Sequence, residues 1–109
     1  MWIWQALEYR PQVVVIEYNS VFDYGDCKVV PYEPTFQWDG TNYFGASYSA
    51  LEILAREKQY VGVYTNGVNA FFVDKACIDN WQEFVGKNVF VWRDRHGADP
   101  HNRPFIQLA

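Results

Sequence analysis

Clustered positive charge is missing from this chain. Nine Lys and Arg stand against thirteen Asp and Glu, for a formal charge of −4. Phosphate-binding surfaces need grouped Lys and Arg, so the composition argues against a nucleic-acid partner and against an anionic membrane surface. Cysteine is scarce too. Cys27 and Cys77 are far apart, with no second Cys or His at zinc spacing. That leaves neither a CxxC redox pair nor a zinc ribbon, and two reduced thiols suit a cytoplasmic setting. The seven glycines are dispersed, so no glycine-rich loop of the kind that cradles a phosphate or a cofactor is present. Long apolar runs are lacking as well. Met1 to Leu7 is apolar but has no basic flank, and Glu8, Arg10 and Pro11 interrupt it before the length of a signal peptide or membrane span. No repeat or low-complexity tract occurs.

Aromatic residues, by contrast, are abundant. They make up 19% of the 109 residues, with five Trp, eight Tyr and eight Phe, inside a chain that is 50% hydrophobic and 20% charged. Those proportions predict one globular domain over 1–109, small enough that some of the rings should face a partner. Pro11-Gln12-Val13-Val14-Val15-Ile16-Glu17-Tyr18-Asn19 reads as a strand over 12–18 that is apolar on both faces, as in a parallel sheet. A short helix over 2–9 precedes it, stopped ahead of Pro11. A long aromatic loop over 19–46 follows, of the length that is either functional or fastened by its own side chains.

Ser47 or Ser49 caps a helix running to about Gln59, with Ser49 to Glu52 matching a reciprocal capping box. Tyr60 to Thr65 and Asn69 to Val73 form two strands joined across Asn66-Gly67. The order strand, helix, strand, strand predicts a small α/β fold of two or three layers around a mixed sheet, its second strand parallel to the first and its third antiparallel. Further on, a short helix is expected over 78–85, an edge strand over 88–92, and an extended C-terminal arm over 93–109 that is able to dock on another subunit.

Between residues 3 and 74, Ile3-Trp4-Gln5-Ala6-Leu7, Pro11 to Asn19, Val30-Pro31-Tyr32, Trp38-Asp39-Gly40-Thr41-Asn42-Tyr43-Phe44-Gly45-Ala46-Ser47 and Gly67 to Val73 follow one another in a recognisable order. In order and spacing they resemble the C-terminal half of bacterial proteins related to FkbM-type, S-adenosylmethionine-dependent methyltransferases. The resemblance implies the last part of a Rossmann-like sheet: a strand, a helix, a strand and a final antiparallel strand inserted between the other two. It also implies a cofactor site built from a glycine-rich loop and an acidic strand end. Neither is encoded here, so the expectation is half of the fold without the activity and without a cofactor.

Ligands of open α/β sheets gather at the carboxyl ends of strands. Glu17, Tyr18 and Asn19, with Trp38, Asp39, Asn42 and Tyr43 of the loop, are therefore the candidate ligand-binding residues. The four loop residues either present an aromatic wall to a sugar-like molecule or only pin the loop. Asp94, His96, Asp99 and His101 lie close in sequence without metal-ligand spacing, and read as a solvated arm with no metal. No Ser or Cys has a base partner, so no catalytic residue is expected. The leading expectation is a non-enzymatic interaction domain that forms a homodimer through an exposed strand edge at Val13, Val14, Val15 and Ile16. The alternatives are half of a split methyltransferase with a separately encoded cofactor-binding chain, or a small-molecule binder using 32–47.

Overall fold

A computed structural model describes residues 2–20, 22–31, 45–84, 90–91, 104 and 106–107. The chain opens with helix α1, Trp2–Ala6, shorter than the helix expected over 2–9. Strand β1, Val13–Glu17, is followed by a two-residue strand β2, Lys28–Val29. Helix α2 spans Tyr48–Glu57, and strands β3, Tyr60–Thr65, and β4, Asn69–Asp74, form a hairpin. Two 3₁₀ turns, Lys75–Cys77 and Trp81–Phe84, come next, and strand β5, Ile106–Gln107, lies near the end.

The main sheet has the order β1, β4, β3, and both pairings are antiparallel. β1 and β3 therefore run in the same direction, as expected, but do not touch. Because the hairpin inserts β4 between them, the sheet is antiparallel throughout rather than mixed. The turn uses both of its signal residues: Gly67 takes φ 90°, and Asn66 Oδ1 accepts the Val68 and Asn69 amides at 3.0 and 2.8 Å.

One face of this sheet is covered. Tyr48, Leu51, Leu54 and Ala55 of α2 are buried in one cluster with Tyr60, Ala70 and Phe72 of the hairpin. Rings do most of the filling. Tyr48 stacks on Phe72 at 5.8 Å, and Trp4 meets Tyr60 edge-on at 5.5 Å. Each such ring contributes about 1.5–3 kcal/mol through burial alone. Gly62 is required where α2 comes closest, since a Cβ there would lie 2.2 Å from the Tyr48 hydroxyl.

Ser47 is the residue that caps α2. Its Oγ accepts the Ala50 amide at 3.2 Å and also the Lys28 amide at 2.9 Å. Ser49 instead takes the Gly25 amide at 2.7 Å, and Glu52 accepts the Tyr24 hydroxyl at 2.7 Å, so the expected capping box does not form. Both polar side chains are drawn to the long connection. Burial and the bond to Glu52 push the Tyr24 hydroxyl up to about 12.

The base of the long loop is closed by backbone bonds. Asn19 donates to Ala46, Val30 to Gly45 and Ser47 to Lys28, at 2.7, 2.8 and 2.7 Å. β5 then pairs antiparallel with β2, Lys28 opposite Gln107 and Val29 opposite Ile106. The arm expected to be extended over 93–109 thus includes a segment, Ile106–Gln107, laid against this chain's own loop base. The helix expected over 78–85 is the 3₁₀ turn Trp81–Phe84. Phe90 and Val91, expected in an edge strand, are not in one: Phe90 packs on Tyr18, Tyr24 and Tyr48.

Candidate interaction surface

β1 is not buried on both faces. Val14 and Ile16 point at the core and are half-buried, whereas Val13 and Val15 are 52% and 53% exposed. An apolar run has the same composition whether one or two faces are covered, and among the described residues only the helix-bearing face is covered. On the other face the register sets Val13 beside Val73 and Val15 beside Phe71, with Tyr64 of β3 next in line. Tyr64 is 55% exposed and meets Phe71 edge-on at 5.6 Å. The result is an apolar band running across all three strands.

The edge of β1 has a definite parity. The Asp74 amide donates to Gln12 O and the Tyr18 amide to Val68 O, at 2.9 and 3.0 Å. Hydrogen-bonded and non-bonded pairs alternate along an antiparallel ladder, so the even residues 12, 14, 16 and 18 face β4. The odd residues Val13, Val15 and Glu17 turn their N–H and C=O groups outward. Since β1 is a terminal strand, those six groups form an open edge among the described residues.

Both ends of β1 are clamped. At its start Arg10 Nε donates to Asp74 Oδ2 at 2.6 Å, and Arg10 Nη2 donates to Asp74 Oδ1 and to Gln59 O, each at 3.0 Å. The Arg10 guanidinium also lies 4.5 Å over the Tyr60 ring, whose hydroxyl donates to Pro11 O. The bond from Arg10 and that from the Ala76 amide hold the Asp74 carboxyl below its usual pKa. At the far end Tyr18 and Asn19 are fully buried. The Tyr18 hydroxyl accepts the Gly67 amide at 2.9 Å and donates to Val91 O at 2.6 Å, while the Val91 amide donates to Thr65 Oγ1 at 2.9 Å.

Of the residues expected to bind a ligand, Glu17 is exposed at the end of β1, while Tyr18 and Asn19 are enclosed, Tyr18 fastening β1 to the hairpin turn and Asn19 to Ala46 at the loop base. Trp38, Asp39, Asn42 and Tyr43 lie outside the described residues, as do Asp94, His96, Asp99 and His101. Among the described residues no cluster of three or more His, Cys, Asp or Glu could hold a metal ion. Nor is any helix there long and apolar enough to cross a membrane. Sequence reasoning missed Phe71, Val73 and Tyr64 as parts of the surface. The run Ala70-Phe71-Phe72-Val73 is apolar at consecutive positions, which was the available signal that both faces of β4 meet apolar surroundings.

No protein-family model, no curated protein and no solved structure matches this chain.

Proposed function

We propose that this chain is a non-enzymatic interaction domain that self-associates by pairing β1 with β1 of a second copy. The observation that carries this reading is the outward parity of Val13, Val15 and Glu17 on a terminal strand with half-exposed valines. A two-fold axis through Val15 sets Val15 opposite its copy and Val13 opposite Glu17. All six outward backbone groups of each strand are then satisfied, and no like charges are opposed. The apolar band continues across the junction, where Val15 meets its copy with Phe71 and Tyr64 in line behind it on either side.

Val15→Lys tests this directly. Its side chain stands on the exposed face, so the fold tolerates it, but the two-fold brings two lysines together. Sedimentation should give a dimer mass for the natural protein and a monomer mass for V15K with an unchanged circular dichroism spectrum. A natural protein that stays monomeric at high concentration, or a V15K protein that remains dimeric, overturns the reading.

A second reading is favoured by the strand order. β4 inserted between β1 and β3 is the arrangement that the methyltransferase resemblance implies. In that case the edge of β1 receives a separately encoded chain carrying the cofactor-binding half. The chain alone would then be monomeric and would form a one-to-one complex with that chain.

A further inference from the structure

The opposite edge of the sheet carries a cavity that the pairing of β1 does not use. It has a volume of about 260 Å³ and lies between β3, the flank of α2 and the 3₁₀ turn Trp81–Phe84. We infer that this cavity is a binding site for a small organic carboxylate with a flat apolar body. Its floor and walls come from buried Ala55 and Val61 and from half-buried Trp81 and Phe84. Its rim carries Arg56 and Lys75.

Two features fix the chemistry. First, the rim has surplus positive charge. Glu52 is also there, but it already accepts the Tyr24 hydroxyl at 2.7 Å and lies 3.7 Å from Arg56 Nη2. Arg56 is 66% exposed, and its guanidinium has donors to spare for a bidentate carboxylate. Second, the aromatic wall is already used by a cation. Lys75 Nζ sits 3.9 Å from the centroid of the Trp81 ring, which holds the ammonium at the rim with further N–H donors to offer.

The edge of β3 that borders the cavity is buried at Tyr60, Val61 and Gly62. The Lys75 amide donates to Gln59 O at 3.0 Å, so residues 59 and 61 face β4 and residues 60 and 62 face away from it. Gly62 lines the cavity with its backbone, while the space that a side chain would take there is filled by the Tyr48 hydroxyl. Cationic rim and aromatic wall together suit an aromatic carboxylate better than a neutral or cationic molecule of the same shape.

The test is an amide chemical-shift titration of the full chain with phenylacetate and, separately, with its neutral counterpart phenylacetamide. Phenylacetate should produce saturable shifts at Gly62, Ala55 and the Trp81 indole, and phenylacetamide should bind about tenfold more weakly. Arg56→Gln, a change at an exposed position, should weaken phenylacetate about fivefold or more and leave phenylacetamide unaffected. Trp81→Ala should weaken both. Absence of saturable shifts at Gly62 and Ala55, equal binding of the two compounds, or unchanged phenylacetate binding by R56Q overturns the assignment. β1 and β3 are opposite edges of the sheet, so none of these outcomes depends on self-association.

Discussion

Arg10 and Asp74 hold the start of β1 to the end of β4 by a two-pronged ion pair, with side chains 45% and 12% exposed. Because the partner and the Ala76 amide both favour the charged carboxylate, the folded pKa of Asp74 lies below its ordinary value of about 3.8. The stability this contributes is therefore fully present above that ordinary value, and is lost as pH falls through the lower folded value. Arg10 stays protonated across that window and adds no pH dependence of its own. Asp74→Asn should lower the urea midpoint near neutral pH, and the gap between the two proteins should close on acidification below about pH 4. Parallel midpoint profiles of the natural and D74N proteins across that range would show that the pair does not act through charge. The same contact explains why Val13 begins the ladder: it fixes the register from which every later residue of β1 takes its inward or outward direction.

At the level of elements, the junction of the long loop with α2 rests on Ser47. Its Oγ serves two amides from different segments, Ala50 in the first turn and Lys28 at the start of β2. Ser47→Ala leaves both donors without that acceptor in a fully buried position. The loss of a cap costs about 1 kcal/mol and the second orphaned amide about 1–3 kcal/mol more. Ser49→Ala removes only the bond to the Gly25 amide. Thermal unfolding should accordingly rank the proteins natural, S49A, S47A in falling stability, and S49A at or below S47A would remove Ser47 from this role. The same region shows how far the sequence could be read. Helix α2, the hairpin of β3 and β4, and β1 itself were legible because periodicity, Asn66-Gly67 and a run of β-branched residues are local signals. The cap was legible only as a choice between Ser47 and Ser49, since the deciding partners, Lys28 and Gly25, are distant in sequence. The two-residue strands β2 and β5 carry no periodicity, and their ladder joins residues far apart in the chain, Lys28–Val29 with Ile106–Gln107. Of the candidate site, the edge residues Val13 and Val15 were legible. Their outward parity was not, because it depends on which neighbour β1 has. Arg56, Lys75 and Trp81 were equally hidden, since only the fold brings them to one cavity.

On the scale of the molecule, the described residues fill one face of the three-stranded sheet with α2 and Trp4 and leave the other apolar, with β1 at one margin and the cavity at the other. Covering that second face is what a larger sheet accomplishes in α/β proteins, where helices lie on both sides. The proposed self-pairing of β1 would act at the edge instead: it would double the sheet to six strands and join two apolar bands into one. Such a ladder has a signature that a face-to-face contact lacks. In a pairing centred on Val15, only the outward amides of Val13, Val15 and Glu17 gain hydrogen bonds, whereas those of Val14 and Ile16 are already bonded to β4. Amide exchange measured at low and high protein concentration should therefore show added protection at 13, 15 and 17 and little change at 14 and 16. In V15K the three odd amides should exchange fast at both concentrations. If protection rises equally at odd and even positions, association strengthens the fold as a whole without using the edge. If it rises instead at Phe71 and Tyr64 alone, two apolar faces are stacked and β1 remains terminal.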